Sequence, residues 1–288
     1  MNPIAIKQLQ SFAVYWLAND EVELSMVPEL GAKIISLKNR RTGREWLWHP
    51  HADLRLFKNQ PGDDFAAGPL VGMDECLPTI QPCSWRDRPL PDHGEAWNQP
   101  WQVDAEDLRR GRLTTRLQLK ISPFAFQRTA TLSGSEIQFH YQLANLAATE
   151  EYFIWAAHPL LRLVPGDVLE VPGCTRQLLN GHAWIEAITS AIPEHNCAKV
   201  FACPVREGWA AIHNATQDDR LEFSWNVREN PALGLWLTRG GWHGHHHFAL
   251  EPTNADDDSL ALAAGRKQCG VVPGHGTVAW QFCLRVGK

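Results

Sequence analysis

Apolar and polar residues alternate through most of the chain, and they do so with period two. Residues 113 to 121, LTTRLQLKI, put Leu113, Leu117, Leu119 and Ile121 on one face. Residues 136 to 143, EIQFHYQL, alternate Ile137, Phe139, Tyr141 and Leu143 with polar partners. Successive side chains of an extended chain point to opposite faces, so this pattern predicts half-buried strands. Between the two segments, FQRTATLSGS supplies another strand and a Ser-Gly-Ser turn, which predicts an antiparallel hairpin. The C-terminal GTVAWQFCLRV repeats the alternation with Val278, Trp280, Phe282, Leu284 and Val286. Near the start, EVELSMVPELGAKIISLKNRRTGREWLWH reads as strands joined by turns, with Thr42-Gly43 at one tip.

Helix signals are few, and DFAAGPLVG is broken by Gly68 and Pro69. Nineteen prolines and 21 glycines interrupt the chain at short intervals. Many short strands with frequent turns predict a sandwich or barrel. No repeat, low-complexity tract or linker divides the sequence, so one all-β domain over residues 1–288 is expected.

Composition narrows the function classes. Hydrophobic residues are 44% of the chain, enough for a large core, and the net charge of -5 offers no basic footprint for nucleic acid or an anionic membrane. The N-terminus lacks a basic segment followed by an apolar run, which predicts no signal peptide. The most apolar stretch, YFIWAAHPLLRLV, is too short to span a bilayer and carries His158 and Arg162. Cys76, Cys83, Cys174, Cys197, Cys203, Cys269 and Cys283 are odd in number and without CxxC spacing. That predicts reduced thiols in a cytoplasmic protein rather than a disulfide framework or a zinc finger. Thirteen tryptophans stand against three tyrosines. Most are expected in the core, with a few available to stack on the apolar face of a sugar.

Three stretches carry the candidate chemistry: PDHGEAWNQPW (91–101), YFIWAAHPLLRL (152–163) and ALEPTNADDDSL (249–260). His158 interrupts an apolar strand just before Pro159. A lone histidine there is more often a satisfied core residue; the functional reading is a general acid or base on a pocket wall. Glu251 ends an apolar strand before Pro252, where an unpaired carboxylate is costly to bury, so it is either exposed or held for a purpose. His93 lies on a loop with Gly94, which permits a tight turn; Asp92 and Glu95 beside it read most simply as solvated charges.

Together these stretches resemble the aldose 1-epimerase (galactose mutarotase-like) superfamily. The resemblance runs from VPELGAKIISLKNRRTGREWLW through HG at 93–94 and the histidine strand at 152–163 to EP at 251–252 and the terminal strand. It implies an all-β supersandwich with a sugar cleft and no cofactor. It also implies that Glu251 takes the proton of the anomeric hydroxyl, that His158 protonates the ring oxygen, and that His93 contacts the sugar. The chemistry is self-consistent, because opening a hemiacetal needs only one proton removed and one supplied.

The sequence departs from the family where an asparagine-arginine pair is usual. GPLVGMDECLPTI (68–80) has Asp74 and Glu75 there, which are expected either to accept bonds from sugar hydroxyls or to pair with Arg86 or Arg88. That acidity argues against a sugar phosphate. Trp236, Arg239 and Trp242 precede the expected base, so the tryptophans are expected either to stack on the sugar or to sit in the core, and Arg239 to bind a hydroxyl or an acidic group. In the run from His243 to His247, consecutive strand residues face opposite ways, so no metal is expected. Asp256, Asp257 and Asp258 read as a solvated turn. Two other functions compete with a mutarotase acting on a monosaccharide as a monomer or weak homodimer. One is a carbohydrate-binding or regulatory protein without chemistry. The other is a lyase or hydrolase using carboxylates such as Asp74 and Glu251.

Overall fold

A computed structural model describes residues 4–50, 54–173 and 192–287. Two large antiparallel sheets carry the fold. The first has nine strands in the spatial order Ile4–Leu9, Phe12–Ala18, Val22–Val27, Lys33–Asn39, Met73–Cys76, Ala156–Leu161, His246–Thr253, Ala232–Arg239 and Asn196–Ala202. The second has eight, with Phe124–Ser133, Glu136–Asn145 and Thr277–Gly287 near its middle. Helices are short, Ala105–Arg109 and Leu260–Gly265 being the α-helices among the described residues.

The period-two reading translates directly into these strands. Ser133 pairs with Glu136 and Phe126 with Leu143, so Gly134, at φ 54°, and Ser135 form the tip of the expected hairpin. Ile137, Phe139, Tyr141 and Leu143 all face inward, as do Trp280, Phe282, Leu284 and Val286 on the terminal strand. Ile121 departs from expectation: its strand ends at Gln118, the alternation lapses, and the side chain is exposed. The six described cysteines are free thiols, and Cys174 lies outside the described residues. Among the described residues no helix is long and apolar enough to cross a membrane.

Large rings from both sheets fill the space between them, with Tyr141 and Trp280 stacked at 5.3 Å. A buried ion is built into this layer. Glu75 accepts from Arg128 Nη1 at 2.7 Å, Tyr141 Oη at 2.9 Å and the Trp155 indole at 2.7 Å. Three donors satisfy a carboxylate that would otherwise be expensive to hold in the core. Glu75 therefore points into the inter-sheet layer, away from the opposite face of its strand, and is not a sugar contact. Neither Asp74 nor Glu75 pairs with Arg86 or Arg88; both arginines bind Glu151 instead, at 3.1 and 2.6 Å.

The strand Ala156–Leu161, and His246–Thr253 beyond its exposed first residue, are buried on both faces. One face meets the second sheet. The other lies beneath loops bearing Phe65, His93 and Trp242, and the candidate site is formed there.

Candidate functional site

Strand register assembles the floor of the site. Asp74 is directly opposite His158. Ala156 pairs with Thr253 and Leu160 with Ala249, which sets His158 opposite Glu251. Glu251 in turn faces Gly234, and Gly234 faces Phe201. Ile34 pairs with Met73, which places Lys33 opposite Asp74. One row across the sheet thus reads Lys33, Asp74, His158, Glu251, Gly234, Phe201, all on the face away from the second sheet.

His158 and Glu251 are almost wholly buried, and His158 Nε2 is 3.7 Å from Glu251 Oε1. That oxygen makes no hydrogen bond, and neither does His158 Nδ1. Glu251 Oε2 is taken by Lys199 Nζ at 2.6 Å, and the same ammonium lies 2.8 Å from Asp258 Oδ1. Burial raises the proton affinity of Glu251 above that of an ordinary carboxylate, with Lys199 opposing the rise. Burial, followed by the neighbouring His93, Lys199, His247 and Lys33, against which an added positive charge is disfavoured, holds His158 well below the usual imidazole range. Burial works against the Lys199 ammonium, but Glu251 and Asp258 outweigh it and keep the proton on.

His93 forms the opposite wall. Its backbone is left-handed at φ 56°, and Gly94 follows at φ 74° with its α-carbon pressed so close to Leu77 that an added Cβ would meet that carbonyl oxygen at 2.1 Å. His93 Nδ1 is 2.9 Å from Asp92 Oδ1, and the imidazole stacks on Phe65 at 3.9 Å. Its ring centre is 4.9 Å from that of His158, nearly perpendicular. Asp92 also accepts from the Phe65 backbone N–H at 2.8 Å, so one carboxylate fixes both the histidine and the ring under it. Burial of Asp92 is outweighed by these bonds, and its carboxyl is held below the usual range.

A cavity of about 200 Å³ opens over this row, lined by Phe65, His93, His158, Lys199, Trp236, Trp242, His247, Glu251 and Asp258 among others. Trp236 and Trp242 stand edge to face at 6.4 Å on one side. Of the residues singled out from sequence, Glu251, His158, His93, Trp236 and Trp242 converge here. Asp74 shares the row but not the cavity wall: it is fully buried and bound to Lys33 Nζ. Arg239 is turned away, donating to Ile192 O at 2.6 Å and paired with Glu194, and it lines a separate groove. Asp258 is a correction of another kind. Expected in a solvated turn, it borders the cavity through Lys199, whereas Asp256 and Asp257 do pair with Arg266 at the surface.

Lys199, Phe65 and Asp92 were not singled out as site residues from the sequence. Lys199 sits in NCAKVFA as an alternating polar residue of an edge strand, and only the fold reveals what it reaches. The histidine run also resolves. His243 lies in a turn at φ 48°, and His246 and His247 open the strand on opposite faces. His247 alone of the pair turns inward, against Trp48 at 4.7 Å. Among the described residues no three His, Cys, Asp or Glu side chains are gathered closely enough to hold a metal.

No family model matches the chain, and no curated protein is similar enough in sequence to count as a relative. Solved structures are similar in fold. The Slr1438 protein from Synechocystis sp. PCC 6803 superposes with a TM-score of 0.71 at 19% identity, covering 95% of each chain. A galactose mutarotase-like protein from Clostridium acetobutylicum gives 0.70 at 14% identity, covering 100% of this chain and 99% of its own. A galactose mutarotase related enzyme from Lactobacillus acidophilus gives 0.69 at 12% identity over 96% of this chain and 97% of its own. The chain therefore shares its all-β fold with these solved structures, galactose mutarotase-like proteins among them.

Proposed function

We propose that this protein is a cofactor-independent aldose 1-epimerase, interconverting the anomers of an uncharged aldose. The observation that carries the reading is the convergence of Glu251 and His158 under one small cavity, each with a buried, unpartnered atom. Buried polar atoms without partners are rare in native proteins and call for a ligand or a role in chemistry.

The steps follow from these two groups. Glu251 Oε1 takes the proton of the anomeric hydroxyl, and the electron pair of that O–H bond becomes the second bond of the aldehyde. The bond from C1 to the ring oxygen breaks, and its pair takes a proton from His158. Rotation about C1–C2 turns the other carbonyl face to the returning hydroxyl. Ring closure reverses both transfers, with Glu251 giving its proton back and His158 recovering its own. The reacting state thus holds one proton on the pair, on His158.

Trp236 and Trp242 offer flat apolar surfaces to the ring, and His93, fixed by Asp92 and Phe65, offers a polar edge. Asp64, Asp92, Glu251 and Asp258 against Lys199 make the cavity lining net acidic, which favours a neutral sugar over a phosphorylated one. The six free thiols are consistent with work in a reducing compartment such as the cytoplasm. A hydrolase or lyase pairing Asp74 with Glu251 is disfavoured, since Lys33 occupies Asp74 and His158 stands between the two carboxylates. A binding protein without chemistry gains some support from the depressed proton affinity of His158, which leaves that group mostly without a proton to give.

The deciding experiment follows a freshly dissolved single anomer by polarimetry or NMR across a panel of aldoses. Acceleration over the spontaneous rate is expected. Glu251→Gln and His158→Asn are each expected to lower kcat by about two to four powers of ten with a smaller change in binding. Sugar binding without acceleration of any aldose would replace this reading with the binding protein.

A further inference from the structure

We propose that Lys199 is a positioning residue for Glu251, gripping Oε2 so that the carboxylate stays ionised and presents its unpartnered Oε1 to the substrate. This rests on the reading of Glu251 as the base and adds to it a residue outside the Glu251–His158–His93 set.

The geometry is specific. Lys199 is paired across the ladder with Trp236, one step off the row that holds Glu251, so its side chain must cross diagonally to reach the carboxylate. Gly234, directly opposite Glu251, leaves that path open; a Cβ there would stand 3.4 Å from Glu251 Oε2 and 3.3 Å from the Phe201 ring. The ammonium arrives 2.6 Å from Oε2, on a side chain only 15% exposed, and lies 5.3 Å from the Phe201 ring centre. With Oε2 occupied and Oε1 unpartnered, the two oxygens of one carboxylate are no longer equivalent.

Asp258 completes the device. When Glu251 accepts the anomeric proton it becomes neutral, and a buried lysine relying on it alone would lose its counter-charge. Asp258 Oδ1, at 2.8 Å, keeps Lys199 paired through that step. Other charged or titratable groups stand around Glu251: His158 on the neighbouring strand, Asp74 and Cys76 on the strand beyond it, Lys33 further along the row, His93 on its loop and His247 on its own strand. Among the described residues only the Lys199 ammonium donates a hydrogen bond to the Glu251 carboxylate, so its removal should dominate any change.

The test reads the Glu251 carboxyl directly, by 13C NMR of glutamate-labelled protein, with the signal assigned by its loss in Glu251→Gln. In Lys199→Met, Glu251 should titrate about one to three pH units higher, the usual effect of losing an adjacent opposite charge. Its kcat should fall at least about tenfold, because the proton now rests on the base. Lys199→Arg should restore both towards wild type. Asp258→Asn should move the titration the other way, to lower pH, since one repelling carboxylate is gone. Circular dichroism and thermal melting establish that each variant is folded. If Lys199→Met does not fold, Lys199→Gln, which removes the charge but keeps a polar head, carries the same titration test. An unmoved Glu251 titration in a folded variant overturns the role of Lys199, even in an active enzyme. A titration that moves as stated, in a protein that accelerates no aldose, supports the electrostatic coupling and overturns the epimerase reading.

Discussion

His158 Nε2 stands 3.7 Å from Glu251 Oε1, with neither residue in appreciable contact with water. Burial pushes the two in opposite directions, the imidazole towards losing its proton and the carboxyl towards keeping one. Two groups so close titrate as a pair, and the apparent constants belong to the pair rather than to either residue. Epimerisation needs one proton on the pair, so raising the pH above its upper apparent pKa removes the acid. We therefore expect kcat/KM to decline as pH rises on the alkaline side of the optimum. In His158→Asn only the base remains, and the residual rate should rise with pH over the same range. Initial rates of anomer interconversion across a pH series check the opposite slopes; parallel profiles would count against the pairing.

His247 supplies a stability prediction with a definite sign. Burial, then the nearby His245 and His246, lowers its pKa from the usual value of 6.5 to about 3. An unfolded chain binds this proton at a pH where the folded protein refuses it. The associated stability is thus complete above about pH 6.5 and is lost progressively as the pH falls towards 3, at about 1.4 kcal/mol per unit in the limit. His158 acts in the same direction. Urea unfolding at several pH values should show a shallower acid loss for His247→Phe than for wild type. Equal slopes would mean that His247 is readily protonated in the folded state.

Sequence pattern carried the sheets further than it carried the site. Alternation in residues 136–143 and 277–287 reflects one buried face and one wet face, and that is a local property. His158, Glu251 and His93 could be proposed because their surroundings or resemblance set them apart. Lys199 could not, because its burial is imposed by Glu251 and Asp258, which are brought to it by strand pairing rather than by neighbours in sequence. The same holds for Glu75. In MDEC it differs little from Asp74, yet the pleat sends one to Lys33 beneath the cavity and the other to Arg128 between the sheets. A one-residue difference in facing separates a residue beside the site from one in the core.

That separation can be tested on Glu75. Replacing it with glutamine leaves Arg128 buried without a counter-charge, although Arg128 Nη2 also donates to Ala32 O. Breaking such a pair costs about 3–5 kcal/mol. We expect Glu75→Gln to lower the urea midpoint accordingly while KM for the sugar is little changed in the protein that remains folded. A small stability effect with a large rise in KM would put Glu75 at the substrate after all.

Trp242 offers the complementary case, a large ring whose loss should affect binding more than folding. It lies in the turn between the strands Ala232–Arg239 and His246–Thr253, flanked by Gly240 at φ 80° and Gly244 at φ 74°. Its ring is only partly buried, packing at the edge of the small cluster of Phe65, Leu70 and Trp97 rather than in the layer between the sheets. Its centroid is 6.3 Å from Phe65 and 5.8 Å from His247, so it lies between the segment bearing Phe65 and the strand bearing His247 at the edge of the cavity. An aromatic contact of this kind is worth about 0.5–1.5 kcal/mol beyond area burial. Trp242→Ala should therefore weaken sugar binding by roughly tenfold, since about 1.4 kcal/mol corresponds to one power of ten. The melting temperature should move by only a few degrees, because the cluster it leaves is peripheral. Trp236→Ala, whose ring stands edge to face with Trp242 and whose strand is central to the site, should weaken binding and lower stability together. Calorimetric titration with an aldose, paired with thermal melts of both variants, separates the two effects. If Trp242→Ala binds sugar as tightly as wild type, the ring is a loop anchor and the sugar lies elsewhere in the cavity.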